Sequence, residues 1–399
     1  MNQKLFTVIE VVVIGALVLF IMYIGGAFKG PEPTPTNEPT QPPATATRPR
    51  PTATLRATAT PAISGPPPAI TSPTGLIAFD TTRDGNSETY VVDASNAFPI
   101  NLTNNPAEDY LIAWSPDSER IAFFSTRTGW LEIYVMNADG TGVTQLTDTF
   151  GTNTVYSSPA WSPDGKQIAA VRRYAWIVNR PSLPASLDLI QTDGSGVTTL
   201  YQRDETDLWG PSWSPDGNYI AMNIYGPSIV DGLHVGKIAE TPFSPISPSN
   251  ASSCFGSAWS SDNKLTCIGG NAIFTFSLDG SDRKSPVDFS FTSYLVHSPA
   301  WSPDGKLLLF VTETFSATNT LTNQKIQIVN SDDSGYRELP GVEETIESPP
   351  TWSPDSQWIA FSTKSNDQFN IYIVNVYDTY QHAQLTLNAG DNFSPQWQP

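Results

Sequence analysis

Histidine, cysteine and basic residues are scarce in this sequence of 399 residues. It contains two cysteines, three histidines (His234, His297 and His382), and 21 lysines and arginines against 39 aspartates and glutamates. Three scattered histidines do not supply a histidine-rich metal site, and the cysteines have the spacing of neither a metal site nor a redox pair. No Gly-x-Ser-x-Gly elbow and no phosphate-binding glycine loop occurs. The sequence therefore contains no recognisable catalytic motif, and we expect no cofactor.

The negative charge is concentrated after residue 74. The whole chain has a formal net charge of −18, and residues 75–399 contain 16 basic and 36 acidic residues. A surface with this excess of carboxylates repels phosphate backbones. We therefore expect no nucleic-acid partner, and we interpret the charge mainly as a source of solubility.

An apolar run lies near the amino terminus. Residues 11–28 contain no charged residue, and a mostly apolar stretch at 6–9 precedes them. A run of about 20 apolar residues is long enough to cross a bilayer. The sequence predicts a cytoplasmic stub at 1–5, an uncleaved transmembrane signal anchor at 6–28, and export of the remainder. A cleavable signal peptide with a weak small-residue site at 25–27 is the alternative.

The segment Lys4-Leu-Phe-Thr-Val-Ile-Glu10 resembles the start of a type IV pilin. Phe6 and Glu10 have the separation of the first and fifth mature residues in that family. Leu5, however, stands where the processing peptidase requires glycine. The resemblance covers only this apolar segment and implies, as a further alternative, a pilin-like surface component that carries the rest of the chain as its head.

Residues 29–74 form a predicted spacer. Residues 31–73 contain 13 prolines and 10 threonines without apolar periodicity. Such a segment cannot bury enough apolar surface to offset the entropy lost on ordering it. We therefore expect an extended, partly polyproline linker that reaches at most about 3.1 Å per residue.

Seven tryptophans recur at intervals of 42 to 52 residues, and most begin the phrase Trp-Ser-Pro-Asp: Trp114, Trp161, Trp213, Trp259, Trp301, Trp352 and Trp397. A period of about 40 to 50 residues with strand-like segments is typical of propeller blades. After Trp114, the runs 121–125, 132–136 and 143–147 are separated by turn residues and predict strands. Together with the Trp strand, each repeat provides four short antiparallel strands, which stacked radially form a β-propeller.

The two ends of residues 75–399 contain complementary half-repeats. The first apolar strand begins at Leu76 without a Trp strand before it, and the sequence stops soon after Trp397. We therefore predict an all-β fold, a seven-bladed β-propeller over residues 75–399, closed by pairing of the carboxy-terminal strand with the amino-terminal one. Such pairing leaves no free sheet edge between the ends.

Segments 158–166, 211–217 and 298–306, each containing Trp-Ser-Pro-Asp-Gly, resemble the WD-like repeat of TolB-type propellers, as does segment 133–140. The resemblance covers residues 75–399 and implies that the Trp strand lies nearest the axis. It also implies an extracytoplasmic protein that binds other proteins. TolB itself has fewer blades and no membrane anchor, so its partners are not carried over. The repeat headed by Trp259 departs most, because Ser260-Ser-Asp-Asn263 replaces Ser-Pro-Asp-Gly.

Cys254 and Cys267 flank Trp259 and its turn, so we predict them on neighbouring strands of one hairpin. A disulfide requires their β-carbons to lie within about 4 Å. A disulfide formed in an oxidising compartment and two buried free thiols are both compatible with this placement.

Several recurrent polar residues are interpreted as scaffold. The turn after each tryptophan needs a local hydrogen-bond acceptor, which explains the recurrence of Asp117, Asp164, Asp216, Asp304 and Asp355. We interpret the repeated tryptophans as packing between blades. Asp84, Asn86 and Glu88 alternate as calcium ligands do, but the same loop of the next repeat reads Arg127-Thr-Gly-Trp130, which favours a surface turn.

The position four residues before each repeated tryptophan suggests a binding site. Its occupants are Tyr110, Ser157, Trp209, Phe255, His297, Ser348 and Phe393. If the Trp strand is innermost, this position lies near one mouth of the central channel. Aromatic side chains around a concave opening suit peptide side chains or sugar faces. The candidate ligand-binding residues are therefore Tyr110, Trp209, Phe255, His297 and Phe393, and the alternative is that these rings fill gaps between inner strands.

Together these patterns favour a non-catalytic binding or scaffold protein in the cell membrane, single-pass, with the propeller on the extracytoplasmic side. The expected ligand is a protein, peptide or glycan. The alternative from another class is a carbohydrate-active or peptide-cleaving enzyme, a lyase or hydrolase. Oligogalacturonate lyases of this repeat class place several histidines around an axial metal, a set that the three histidines here do not supply.

Overall fold

The computed structural model describes residues 72–399 except 175–183, 205, 227–230, 241–253, 270, 279–281, 289–293, 317–319, 340–344, 379–380 and 388–389. The predicted stub, transmembrane anchor and nearly all of the predicted linker lie outside the described residues, so these assignments stay predictions. Within the part of the chain that the structure describes, no helix has the length and apolar character needed to span a membrane.

The described residues contain 27 strands. In chain order they are β1 (Leu76–Thr81), β2 (Glu88–Asp93), β3 (Ile100–Asn101), β4 (Asp109–Trp114), β5 (Arg120–Ser125), β6 (Glu132–Asn137), β7 (Thr144–Gln145), β8 (Thr154–Trp161), β9 (Gln167–Tyr174), β10 (Ala185–Gln191), β11 (Val197–Arg203), β12 (Asp207–Trp213), β13 (Tyr219–Tyr225), β14 (Gly232–Lys237), β15 (Phe255–Trp259), β16 (Leu265–Gly269), β17 (Ala272–Phe276), β18 (Lys284–Asp288), β19 (Tyr294–Trp301), β20 (Leu307–Phe315), β21 (Leu321–Asn330), β22 (Arg337–Glu338), β23 (Thr351–Trp352), β24 (Trp358–Ser365), β25 (Gln368–Asn375), β26 (His382–Gln384) and β27 (Asn392–Trp397).

These strands form seven sheets, and each sheet is one blade. Blade 1 has the strand order β27-β1-β2-β3, whereas blades 2 and 3 contain β4 to β7 and β8 to β11. Blade 4 contains β12 to β14 among the described residues, and blades 5, 6 and 7 contain β15 to β18, β19 to β22 and β23 to β26. The all-β, seven-bladed architecture predicted from the tryptophan period is therefore confirmed.

The strand that carries the repeated tryptophan forms the inner edge of each blade. It is a terminal strand of its sheet, and each Trp strand contacts the Trp strands of the blades on either side. We call these seven strands the axial strands: β27, β4, β8, β12, β15, β19 and β23.

The second strand of each blade is apolar on both faces because neighbouring blades cover both of them. In β5, for example, Ile121, Ala122, Phe123 and Phe124 are all essentially inaccessible to solvent. This burial explains why the second strands appear in the sequence as continuous apolar runs rather than as alternating patterns.

Blade 1 combines residues from both ends of the propeller segment. Strand β27 pairs antiparallel with β1, so that Trp397 lies opposite Ile77 and Asn392 lies opposite Thr81. The N–H of Gln398 continues this pairing by donating to the carbonyl of Leu76. Strand β27 also contacts the axial strands β4 and β23 of the two adjoining blades.

The repeated tryptophans link neighbouring blades through their indole N–H groups. In five blades this group donates, at 2.9 to 3.2 Å, to the carbonyl just before the preceding blade's tryptophan: Trp114 to Gln396, Trp161 to Ala113, Trp213 to Ala160, Trp259 to Ser212 and Trp352 to Ala300. Trp397 donates to the carbonyl of Thr74, and Trp301 donates to the Thr266 hydroxyl. The interpretation of these residues as interblade packing residues is confirmed.

The turns after five of the seven axial strands contain the same hydrogen-bond network. In the first such turn, the Ser115 hydroxyl donates to Asp117 Oδ1 at 2.5 Å, and Asp117 accepts the Glu119 N–H at 3.1 Å. These bonds lower the pKa of Asp117. The same bonds recur at the other turn aspartates, Asp164, Asp216, Asp304 and Asp355. The turn aspartates are therefore scaffold, as predicted.

Candidate binding surface at the channel mouth

A β-bulge follows the candidate position on the axial strands. Between the pairs Tyr110–Phe124 and Ala113–Ala122, two residues of β4 face one residue of β5. Such a bulge bends its strand and changes the direction of the side chains beside it. The residue after the candidate position has a φ of 49° to 57° in six axial strands: Leu111, Ser158, Gly210, Gly256, Ser298 and Ser394.

The seventh axial strand carries proline at the equivalent position, Pro349. The proline ring fixes φ near about −65° and cannot adopt this conformation. In blade 7 the axial strand β23 is only two residues long, and Ile346 forms an isolated bridge with Thr363 upstream of it. The bulge is therefore a property of the other six blades.

The five candidate residues occupy equivalent positions at the start of the axial strands, an end of the channel that we call the mouth. Tyr110 is 6% exposed and lies opposite Phe124, with ring centroids 6.3 Å apart. Trp209, Phe255, His297 and Phe393 are partly exposed. Of the five candidate residues, Tyr110 is therefore buried, whereas the other four side chains are in contact with solvent.

Three of the partly exposed rings pack against the preceding blade. The Arg173 guanidinium of blade 3 lies 3.8 Å from the Trp209 ring centroid, and the Trp209 indole donates to Asp207 at 2.9 Å. Phe255 stacks on Tyr225 of blade 4 with centroids 6.1 Å apart. Phe393 lies 5.4 Å from Phe369 of blade 7. Each ring therefore has one face supported by its neighbour.

His297 forms an acid–base pair within blade 6. Its Nε2 lies 3.2 Å from Glu313 Oε1, and its Nδ1 lies 2.9 Å from the Ser298 hydroxyl. Gln324 donates a further hydrogen bond to Glu313. Burial raises the pKa of Glu313, but the nearby His297 and the hydrogen bond from Gln324 together lower it below its usual value. Glu313 is therefore an anion that faces the imidazole.

Asp80 also lies at this end of the channel, although sequence reasoning did not select it. It is opposite Phe393, and it accepts the N–H of the bulge residue Leu111. Burial raises the pKa of Asp80 to about 8. A signal was present in the sequence, because the other repeats place mainly apolar residues such as Phe124 and Val171 at this strand position.

The loop that contains Asp84, Asn86 and Glu88 forms hydrogen bonds with other residues of the chain. The Asn86 side-chain amide donates to the carbonyls of Asn105 and Ala107, Asp84 accepts the Tyr90 hydroxyl, and Glu88 accepts the Asn105 N–H. These bonds tie the loop to the connection that leads into blade 2. Among the residues that the structure describes, no three His, Cys, Asp or Glu side chains are grouped for a metal ion.

Cys254 and Cys267 lie at the hairpin of β15 and β16. Their Cα atoms are 5.6 Å apart, and the structure joins their sulfur atoms in a disulfide. Both residues are buried in the core shared by blades 4 and 5.

Comparisons with known proteins agree with this architecture. The family model described as the TolB beta propeller domain matches residues 58–180. An uncharacterized protein of Agrobacterium fabrum is 31% identical over 155 residues, which are 36% of this chain and 50% of that protein. The Tol-Pal system protein TolB of Francisella tularensis subsp. mediasiatica is 28% identical over 145 residues, 35% of this chain and 31% of that protein. The chain thus spans half or less of these curated relatives.

The crystal structure of an oligogalacturonate lyase from Vibrio parahaemolyticus superposes on this chain with a TM-score of 0.61 at 14% identity. The superposition covers 76% of this chain and 87% of the lyase, and at this identity it shows the fold alone. The fold and its tryptophan contacts define a seven-bladed, WD-like propeller. Residues 58–180 match the TolB beta propeller domain, and the chain is similar to TolB-type propellers in sequence over about a third of its length.

Proposed function

We propose that this TolB-like propeller is a non-catalytic, extracytoplasmic binding or scaffold protein whose ligand docks at the mouth. The observation that carries the proposal is the set of four partly exposed side chains, Trp209, Phe255, His297 and Phe393, at equivalent positions beside the axial bulges. Partly exposed aromatic faces supply contact area at little cost in conformational entropy. A protein is the favoured partner because the Francisella relative is named as a Tol-Pal system protein, and peptide and glycan ligands are the other candidates.

Membrane tethering belongs to the same proposal. It is supported by the apolar run at 6–28 and the Pro/Thr-rich segment at 29–74. The paired cysteines support an oxidising compartment and hence export of the propeller. The proposal is tested by protease treatment of intact cells and by the mass of the mature chain. A mass that begins at Phe6 supports the pilin-like alternative, and a mass that lacks the apolar run contradicts an uncleaved anchor.

We propose that the seven blades form a closed ring and that the mouth binds its ligand in this form. It is supported by the pairing of β27 with β1 and by the indole of Trp114, which donates to Gln396 in β27. A closed ring holds the candidate residues at fixed separations and so preorganises the surface before a ligand arrives.

The mouth is tested by the double variant Trp209→Ala/Phe255→Ala. Ligands are first found by screening the purified chain on peptide and glycan arrays, and affinities are then measured by calorimetry. We expect at least tenfold weaker binding with a melting temperature close to that of the wild type. The matched control is Phe98→Ala/Phe150→Ala, which removes two rings that are 78% and 73% exposed and lie outside the axial strands. A large drop in melting temperature with unchanged affinity means that the two rings only fill space.

One observation favours a second candidate, a carbohydrate-active or peptide-cleaving enzyme. His297 and the Glu313 anion form a pair of the kind that serves in general acid–base catalysis. The test is turnover of array hits by the wild type and by His297→Ala and Glu313→Gln. Product formation that both variants abolish supports the enzyme, whereas bound and unchanged ligand supports the binding protein.

A further inference from the structure

One position in every blade faces the next blade at the end of the channel opposite the mouth. It is the residue whose backbone carbonyl accepts the N–H of the residue after the axial tryptophan, and we call it the bridging position. Its occupants, from blade 1 to blade 7, are Leu76, Arg120, Gln167, Tyr219, Lys264, Leu307 and Trp358.

Most bridging residues fill this gap with apolar surface. Leu76 packs in the same core as Trp114 of blade 2, Tyr219 packs with Trp259, Leu307 with Trp352, and Trp358 with Trp397. In each case the partner is the axial tryptophan of the following blade. Burial of this kind stabilises a junction in proportion to the apolar area removed from water.

Arg120 fills the gap between blades 2 and 3 with a guanidinium group instead. Its Cζ lies 5.1 Å from the Trp161 ring centroid, which is a cation–π contact. One terminal nitrogen donates to the Gly165 carbonyl at 2.8 Å, and the other donates to the Thr192 hydroxyl at 3.2 Å. The chain therefore contains its own template for guanidinium recognition: an indole face, a turn carbonyl and a hydroxyl.

The same three groups recur between blades 5 and 6. Trp301 is the axial tryptophan there, and Gly305 occupies the turn position of Gly165. Ser331 corresponds to Thr192, because the N–H groups of both donate to the carbonyl of the lysine that follows the turn glycine. All three residues line a cavity of about 610 Å³.

The bridging residue of blade 5 leaves this cavity open. Lys264 turns back to its own turn, where its ammonium lies 2.7 Å from Asp262. The turn is one residue shorter than the others and carries Ser261 where they have proline. The indole of Trp301 is directed to the Thr266 hydroxyl rather than to the axial strand of blade 5, and its ring is only partly buried.

The charged side chains of the cavity wall are compatible with a bound cation. Four carboxylates (Asp262, Asp282, Asp304 and Asp333) and three basic side chains (Lys264, Arg283 and Lys284) line it. Each basic side chain is engaged: Lys264 with Asp262, Lys284 with Asp333 at 3.8 Å, and Arg283 over the Phe274 ring at 4.1 Å. A third carboxylate, Asp304, pairs at 3.0 Å with Lys306, which does not line the cavity. The net charge of −18 on the chain also attracts cationic partners.

We propose that the cavity between blades 5 and 6 binds the guanidinium group of an arginine in a peptide segment of a partner protein. The guest group stacks on Trp301 and donates to the Gly305 carbonyl and the Ser331 hydroxyl, as Arg120 does with Trp161, Gly165 and Thr192. This site lies at the opposite end of the axial strands from the mouth, so it does not depend on the proposed function of the mouth.

The test uses the indole signals of the ¹⁵N-labelled full chain in detergent, with Trp301 assigned from Trp301→Phe. The peptides are Gly-Arg-Gly, its citrulline analogue, Gly-Lys-Gly and Gly-Glu-Gly. We expect a saturable shift of the Trp301 signal with Gly-Arg-Gly, and binding at least tenfold weaker with the other three. No saturable shift, or an equal affinity for the glutamate peptide, overturns the proposal.

Two variants make the test specific. Lys264→Arg supplies the missing bridging guanidinium from within the chain, so it is expected to weaken Gly-Arg-Gly binding at least tenfold, whereas the control Lys364→Arg, in strand β24 of blade 7, retains it. Unchanged binding to a folded Lys264→Arg overturns the proposal.

If Lys264→Arg does not fold, Ser331→Val tests the same site by removing the acceptor hydroxyl. The expected result is again at least tenfold weaker binding, and unchanged binding again overturns the proposal. Trp209→Ala/Phe255→Ala leaves this binding unchanged, which separates it from the mouth.

The junction between blades 2 and 3 can be converted into a binding site by removing the guanidinium group of Arg120. Arg120→Lys is expected to create a second site, seen as a new saturable shift of the Trp161 indole with Gly-Arg-Gly. A folded Arg120→Lys chain whose Trp161 signal does not respond contradicts the comparison between the two junctions.

Discussion

The carboxyl group of Asp80 accepts the backbone N–H of Leu111 at 2.9 Å across the junction between blades 1 and 2. Asp80 is 6% exposed, and its second oxygen has no hydrogen-bond partner. Burial raises the pKa of this carboxyl from 3.8 to about 8, the Leu111 N–H opposes this effect, and the charge of Asp109 adds to it. Between pH 3.8 and about pH 8, Asp80 is therefore protonated in the native state and deprotonated in the unfolded chain.

Stability should therefore fall as pH rises through this window. Because the native state binds more protons than the unfolded state, the free energy of unfolding decreases from about pH 4 to about pH 8. Asp80→Asn keeps an acceptor for Leu111 and resembles the protonated acid, so it should be more stable than the wild type at pH 8 by on the order of a few kcal/mol. Urea unfolding at pH 5 and pH 8 measures this. The exposed Glu119→Gln is the control, and an equal pH dependence in Asp80→Asn contradicts the account.

The tryptophan contacts between blades should have a measurable effect on stability. Trp161→Phe removes the donor to the Ala113 carbonyl, leaves that acceptor unsatisfied and reduces the volume of a side chain that is 9% exposed. We expect a loss of about 1–3 kcal/mol in the free energy of unfolding, measured in urea. Phe150→Leu, at a ring that is 73% exposed, should change stability by less than about 0.5 kcal/mol. Equal effects of the two variants would show that the indole bond contributes nothing.

Deletion of residues 392–399 tests the pairing of β27 with β1. The deletion exposes the edge of β1 and removes the Gln396 carbonyl that accepts the Trp114 indole. An exposed strand edge promotes association. We expect a large drop in melting temperature and concentration-dependent aggregation, measured by differential scanning fluorimetry and light scattering. Removal of Pro399 alone is the control, and wild-type behaviour of the longer deletion contradicts a closed ring.

The bulges should restrict which residues are tolerated after the candidate positions. Gly210 has φ 55°, and an added Cβ would meet no atom within 4 Å, so any cost of substitution comes from the backbone. Gly210→Val should destabilise the chain by about 1–2 kcal/mol. Gly210→Asn should cost less, because asparagine tolerates the left-handed region. Equal unfolding free energies for the two variants would place the cost outside the backbone.

The cysteine pair should contribute to stability only when oxidised. Cys254 and Cys267 are 13 residues apart, and closing a loop of that size is worth about 3 kcal/mol in the chain-entropy model. Dithiothreitol should lower the melting temperature of the wild type and leave that of Cys254→Ala/Cys267→Ala unchanged. A wild type that does not respond to the reductant, with two thiols that react only after unfolding, indicates buried free cysteines.

The tryptophan spacing was sufficient to predict the architecture because each repeat encodes the same strands and turns. Trp114 and the turn that contains Asp117 place one axial strand and one second strand wherever the pattern recurs. The half-repeats at Leu76 and Trp397 likewise predicted that β27 lies beside β1. These features depend on contacts within one repeat or between adjacent repeats, which a period reveals.

Features that depend on one particular junction were not predicted. The bond from the Leu111 N–H to Asp80 occurs only at the junction between blades 1 and 2 among the described residues, whereas the positive φ of Leu111 belongs to the bulge that six axial strands share. The roles of Arg120 and Lys264 differ although both occupy the bridging position, because each depends on the turn and the blade that it faces. The candidate residues lie on axial strands, but the burial of Tyr110 could not be deduced from a column in which the other four candidate side chains are partly exposed.

The pairing of Trp397 with Ile77 has a consequence for biosynthesis. A ribosome delivers Ile77 early and Trp397 among the last residues of this sequence, so the first blade waits for its axial strand while the other six are made. Throughout that interval the β1 edge is open to strands from other nascent chains. The steps that most need a chaperone are therefore those between the synthesis of β1 and the synthesis of β27.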